Sequence, residues 1–233
     1  MTLTVIAMVH DRGDRGYYRI RNFLVSLLQQ ELPPDEIIIV NTSETECFQP
    51  QIGELSRINY ILRPSPAFNK SRALNIGIKR STSDYIMTTD IDFIFSPNVI
   101  QTVTDRLNDK TFVLSEAGYL PDVPVAPPFD WSELELLVDS PEHRKSPGTV
   151  QAAHRQFWFN VHGYDEQFDG GLGGMDDDMW IRGRKYGLEL DWIPFGEVAC
   201  LHQWHPVSDL KGVCSHLFMP NPEIIKNLTG WGE

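Results

Sequence analysis

Apolar positions fall in two alternating rhythms along the first ninety residues. Leu3 to Val9 is a short apolar run that ends in the polar loop His10-Asp11-Arg12-Gly13, the pattern of a strand and its exit. Tyr18 to Gln30 then carries Ile20, Phe23, Leu24, Leu27 and Leu28 at close to helical spacing, and Pro33-Pro34 stops it. Glu36 to Val40 is a continuous β-branched run, as in a strand buried on both faces, and it ends at Asn41-Thr42-Ser43. Ile58 to Leu62 predicts a weaker strand. Lys70 to Lys79 predicts a helix with Ala73, Leu74 and Ile78 on one side, and Asp84 to Thr89 a strand leading straight into Asp90-Ile91-Asp92. Strand and helix alternating at this spacing imply a parallel sheet with right-handed crossovers. Ligands of such sheets sit at the carboxyl ends of the strands, where His10-Asp11-Arg12, Asn41-Thr42-Ser43 and Asp90-Ile91-Asp92 all fall. Three polar clusters are thus expected on one rim.

The second half has a different texture. Residues 119–148 hold Pro121, Pro124, Pro127, Pro128, Pro141 and Pro147, which reads as a long connection with a short helix from Trp131 to Val138. Thr149 to Arg155 predicts a strand. A segment of glycines and acids runs from Phe168 to Asp178, and a helix continues through Trp180 to Tyr186.

Composition narrows the function. The 233 residues carry 20 basic and 32 acidic side chains, a net charge of −12, which argues against a nucleic-acid face but leaves room for a nucleotide whose charge a divalent cation neutralises. Cys47, Cys200 and Cys214 match no zinc or redox spacing and read as reduced thiols. The start of the chain reads as a first strand, not a leader, and no run reaches the roughly 18 apolar residues that span a bilayer. A cytoplasmic location is the default, with peripheral membrane contact left open.

Three segments carry candidate chemistry. At a strand end, where the chain can turn, Asp90 and Asp92 can approach one hard cation, Mn²⁺ or Mg²⁺. Two solvated acids at a loop are the alternative. In Gly170-Gly171-Leu172-Gly173-Gly174-Met175-Asp176-Asp177-Asp178, glycines allow close backbone approach and three acids open a helix. Their mutual repulsion suits a base better than a cap. In Cys200-Leu201-His202-Gln203-Trp204-His205-Pro206, strand alternation would turn His202 and His205 to opposite sides, so one histidine could join Asp92, with a surface histidine beside a packed tryptophan as the alternative. Lys70, Arg72 and Asn75 form a lesser cluster suited to diphosphate oxygens or to an ordinary solvated helix face.

Together these residues resemble the GT-A glycosyltransferases, especially family 2. Phe68-Asn69-Lys70-Ser71-Arg72-Ala73-Leu74-Asn75-Ile76-Gly77, Asp84-Tyr85-Ile86 and Asp90-Ile91-Asp92 follow the family's donor half in order. Gly173 to Arg182 looks like the Gly-Gly-Glu-Asp-Asp-Asp segment of β-1,4-galactosyltransferases and bacterial chondroitin-polymerase domains. The resemblance implies an α/β fold of the GT-A, Rossmann-like kind: one domain, with a mixed, mainly parallel sheet flanked by helices. Residues 1–116 would form the donor half and 117–233 the acceptor and catalytic-base half.

It implies a nucleotide-diphosphate sugar donor, usually UDP-linked, a carbohydrate or glycan acceptor, and Mn²⁺ or Mg²⁺. Asp90 would lie near the donor ribose or sugar, with His10, Arg12, Asn41, Lys70, Arg72 and Asn75 around the donor. Asp92 would bind the metal with His202, His205 standing second. Asp176 would be the base of an inverting hexosyl or N-acetylhexosaminyl transfer, and Asp177 would help hold the acceptor. Met175 stands where relatives carry Glu, and Leu172 where galactosyltransferases carry Trp, so acceptor identity does not transfer. Residues 119–148 are expected to fold over the donor. The rival readings are a sugar-nucleotide nucleotidyltransferase, which lacks a use for the Gly-Gly-Met-Asp-Asp-Asp segment, and a non-catalytic binding module.

Overall fold

Apolar runs of the first half become strands buried on both faces. The computed structural model describes residues 1–11, 16–44, 58–138 and 144–233, so Arg12 and Cys47 lie outside the described residues. β1 (Leu3–Val9), α1 (Tyr17–Leu28), β2 (Glu36–Asn41), β3 (Ile58–Leu62), α2 (Lys70–Arg80) and β4 (Tyr85–Thr88) follow the predicted order. After them come β5 (Phe93–Phe95), α3 (Val99–Arg106), β6 (Thr111–Tyr119), α4 (Trp131–Leu136) and β7 (Arg144–Lys145). β8 (Gln151–His154), α5 (Arg155–Asn160), α6 (Met175–Tyr186), β9 (Glu189–Ile193) and β10 (Cys200–His202) complete the elements.

The sheet runs β3-β2-β1-β4-β8-β6-β10-β5, with β7 and β9 also paired to β6. β1 pairs in parallel with β2 and β4, and β2 with β3. β8 is antiparallel to both its neighbours, β4 and β6. β9 and β10 lie parallel to β6, and β5 closes the edge antiparallel to β10. The result is the mixed single-domain α/β sheet expected for a GT-A fold. β8 and β10 of the second half pair with β4 and β5 of the first, so the two halves share one sheet.

Strand alternation divides the core. Leu3, Val5, Ala7 and Val9 pack with Ile37 and Ile39 against α1 and α3, while Ile6 and Met8 pack with Ile38 and Val40 against α2, α5 and α6. Gly77 lets α2 sit on β1, since a Cβ there would collide with the Ile6 side chain. A third cluster, with Leu120, Val125 and Leu134, covers Ile94, Ala199 and Leu201 at the β5–β10 edge. The stretch from Tyr119 to α4 is therefore packed, not a free connection. Among the described residues no helix is long and apolar enough to cross a membrane.

Candidate active site

β1, β4, β6 and β10 end around one cleft of about 720 Å³. His10 and Asp11 from the end of β1 line it, as do Lys70, Asp90, Asp92, Tyr119, His202, His205 and the segment around Trp204 and Lys211. His10 Nδ1 lies 2.9 Å from Thr42 Oγ1, and the Asp11 N–H donates to Ser43 Oγ at 2.7 Å. The β1 and β2 rims are thereby tied together, as the polar strand ends imply.

Asp90 and Asp92 part company in the turn after β4. Asp92 Oδ2 lies 3.1 Å from His205 Nε2 and 3.5 Å from His202 Nε2. The expectation that one histidine would face away is corrected. β10 ends at His202, so strand alternation no longer governs His205, and both rings reach the same carboxylate. The His202 ring sits edge-on to Phe93 at 5.2 Å and beside Tyr119 at 5.0 Å, which limits its rotation. One potential ligand atom from each of the three residues lies within 4.8 Å of the others. Asp92 Oδ1 is buried and has no hydrogen-bond partner among the described residues. An orphaned carboxylate oxygen beside two imidazole nitrogens fits a divalent cation that accepts both O and N donors. Burial works against ionised Asp92, yet the two histidines hold its carboxyl well below the usual range. The Asp92 contact in turn raises His205.

Asp90 belongs to a second cluster. Lys70, at the first turn of α2 and 5% exposed, places Nζ 2.5 Å from Asp90 Oδ1 and 3.1 Å from Asp176 Oδ2. The ammonium is buried, which would lower its pKa, but the carboxylates of Asp176 and Asp90 outweigh that and raise it. Asp90 is pushed up to about 6, mainly by burial, with Lys70 opposing and Asp176 and Asp92 adding repulsion. Gly148 is the floor of this cluster. Its carbonyl accepts the Asp90 N–H at 3.0 Å, and a Cβ there would lie 2.6 Å from Asp90 Oδ2 and 3.3 Å from Asp176 Oδ2.

The three acids that open α6 do not act together. Gly174, at φ 87°, takes the left-handed conformation that glycine allows and starts the helix. Each following residue turns about 100° around the axis. Asp176 faces Lys70, Asp177 Oδ1 accepts from Trp180 Nε1 at 3.0 Å, and Asp178 enters the core against Arg182 Nε at 2.7 Å. Repulsion among the three is therefore not the cause of any base character. Their separate partners dissipate it.

Three expected donor ligands are placed elsewhere. Asn41 is fully buried, its Oδ1 accepting from the Ser43 N–H at 2.8 Å. Asn75 is fully buried too. Its Nδ2 donates to the Tyr164 carbonyl and Glu166 Oε1, each at 2.9 Å, and its Oδ1 accepts the Tyr164 N–H at 2.7 Å. Arg72 lies on the outer side of α2, where its Nε donates to the Glu233 carbonyl at 2.5 Å. Helix geometry explains the last two, because at about 100° per residue Arg72 and Asn75 stand far round α2 from Lys70, the one of the three that points at the rim. Met175 is buried beside Ser71 Oγ and so offers nothing to the cleft, whereas Leu172 lines it. Tyr119, Gly148 and Gln203 were given no role from sequence. The position of Gln203 between two candidate ligands was the available signal.

A family model described as Glycosyl transferase family 2 matches residues 4–123. No curated protein sequence matches the chain significantly. Among solved structures, S. aureus TarS 1-349 in complex with UDP-GlcNAc superposes with a TM-score of 0.64 at 10% identity, covering 91% of this chain and 61% of that one. The mannosyltransferase PcManGT from Pyrobaculum calidifontis, in complex with GDP-Man and Mn²⁺, gives 0.60 at 18% identity, covering 90% and 58%. The chain thus spans about three-fifths of the length of these two relatives in fold.

Proposed function

The chain belongs to glycosyl transferase family 2, and on that premise we propose that it is a cation-dependent, inverting glycosyltransferase. It would move a hexosyl or N-acetylhexosaminyl group from a nucleotide-diphosphate sugar, UDP-linked in the first instance, to a carbohydrate hydroxyl. The observation that carries this reading is a cation-ready Asp92–His202–His205 set in one cleft with Lys70, whose ammonium pairs with an acid at the start of α6, Asp176. UDP-GlcNAc in TarS and GDP-Man with Mn²⁺ in PcManGT are in keeping with such a donor.

In the proposed step the acceptor oxygen attacks the anomeric carbon, the bond from that carbon to the diphosphate oxygen breaks, and the acceptor proton passes to an Asp176 carboxylate oxygen. The base assignment draws on the likeness of the Gly173–Arg182 segment to galactosyltransferase and chondroitin-polymerase domains. Lys70 fixes the direction of Asp176, and Asp90 beside it faces the donor. Asp92, His202 and His205 would hold Mn²⁺, which when bound supplies charge neutralisation to the leaving diphosphate. Tyr119, Leu120, Pro121 and Asp122 form part of the cleft wall, so the start of the 119–148 stretch bounds the donor. Residues 1–116 and 117–233 are kept as donor and acceptor halves in this reading.

Thermal stability is measured with UDP, GDP, CDP and ADP, each with Mn²⁺, with Mg²⁺ and with EDTA. Binding to the folded state raises the melting temperature by mass action. One nucleotide, UDP first, is expected to give a shift with Mn²⁺ that shrinks with Mg²⁺ and vanishes with EDTA. Asp92→Asn should remove the cation-dependent part of that shift. No shift with any nucleotide would refute the donor site.

A further inference from the structure

The residue directly after His202 does not face the cleft. Gln203 is 1% exposed, and its side chain turns towards α1. Its main-chain N–H and its Nε2–H both donate to the Asp92 carbonyl, at 2.8 and 3.2 Å. Nε2 also donates to the Arg19 carbonyl at 3.1 Å, and Oε1 accepts from Asn22 Nδ2 at 2.8 Å. Asn22 Nδ2 completes the set with the Val125 carbonyl at 2.7 Å. A carboxamide offers two N–H donors and one carbonyl, and here both donors and the acceptor of Gln203 are used. Two buried amides, Gln203 and Asn22, therefore tie together α1, the turn that carries Asp92, the end of β10 and the segment after β6.

We propose that Gln203 is a positioning residue for the candidate cation site, holding the main chain of Asp92 so that its carboxylate meets His202 and His205. The inference rests on the metal reading given above. Among the described residues, the Asp92 carbonyl in the turn between β4 and β5 is held by these two donors of Gln203. Those donors come from the residue directly after His202, so ligand and ligand-holder share one strand end. Groups that orient metal ligands are worth about 10–100-fold in affinity, because a site about 1 Å too loose no longer presents its donors together.

The test is a titration of Mn²⁺ alone into the full chain, with free Mn²⁺ read by its EPR signal. Gln203→Met keeps the volume and removes both side-chain donors and the acceptor. Its Mn²⁺ affinity is expected to fall about 10–100-fold, with one-to-one stoichiometry retained. Asn22→Leu removes the partner of Oε1 but leaves both bonds to the Asp92 carbonyl. It is expected to lower the melting temperature while leaving Mn²⁺ affinity unchanged. Gln203→Asn, one methylene shorter, gives the same reading if Gln203→Met does not fold. Unchanged affinity in the Gln203 variants, or equal losses in Asn22→Leu and Gln203→Met, would overturn the proposal and make Gln203 a packing residue. Wild-type protein that binds no Mn²⁺, or binds it equally after His202→Ala, would overturn the metal reading itself, and this proposal with it.

Discussion

Two acidic clusters share the cleft, and they differ in what balances their charge. Around Asp90 and Asp176 the fold supplies its own cation, the buried Lys70 ammonium, within 2.5 and 3.1 Å. Around Asp92 the partners are two imidazoles, whose charge depends on a proton, and one carboxylate oxygen is left without a partner among the described residues. The first cluster carries its own cation, one ammonium shared by two carboxylates. The second is open to a cation from outside. Sequence proximity misleads here, since Asp90 and Asp92 are two residues apart yet serve different clusters, while Asp90 and Asp176, far apart in sequence, serve one.

The comparison breaks most sharply at Asp176. Asp176→Asn keeps the shape and the contact with Lys70 but cannot accept the acceptor proton. Turnover should fall about 10²–10⁴-fold, the usual worth of a positioned base, while Mn²⁺-dependent nucleotide binding stays at the wild-type level. Nucleotide release from the donor, followed with both proteins, checks it. Wild-type turnover in the variant would move the base elsewhere.

Asp178 sharpens the comparison from the other side. It stands two residues from Asp176, but its partner Arg182 is fully buried, with side-chain exposures of 0% for Arg182 and 3% for Asp178. Removing one member of a buried pair leaves an uncompensated charge, so Asp178→Ala should cost about 3–5 kcal/mol in urea unfolding. Loss of stability with intact chemistry in the folded fraction would separate this acid from Asp176. Little change in stability would mean that Arg182 finds another partner.

The donor half was legible because its strands are buried on both faces and announce themselves as apolar runs. Val5–Val9 and Ile37–Val40 are of this kind. Of the later strands β8 was legible, within Thr149–Arg155, and the others were not. β6 breaks its apolar run at Ser115 and Glu116, β9 carries an acid at both Glu189 and Asp191, and β10 is three residues long. These strands are set by partners distant in sequence, which local periodicity does not register. The site divides in the same way. Asp90, Asp92, Lys70 and Asp176 stood out as charged residues at strand ends and helix starts, and the first three line the cleft while Asp176 pairs with Lys70. Asn41 and Asn75 misled because a buried amide that satisfies main-chain groups has the same letter as one that binds a ligand. The convergence of His202 and His205 required knowing where β10 stops.

The smallest expected effect tests whether the open cluster holds a proton in place of a cation. The hydrogen bond to Asp92 raises His205 above its ordinary value of about 6.5, and burial only partly opposes it. Asp92, held well below the carboxylate range, stays ionised throughout mild acid and neutral buffers. A raised histidine contributes stability that is fully present below its unfolded value and is lost as pH rises through the folded one. In EDTA, the gap in melting temperature between wild type and His205→Gln should therefore be widest in mildly acidic buffer and close towards alkaline pH. The same proton must leave before the imidazole can ligate, so Mn²⁺ affinity should rise across the window in which the stability gap closes. A gap that is flat with pH would mean that the His205–Asp92 contact is not ionic, and that His205 stands ready for a cation without a proton to displace.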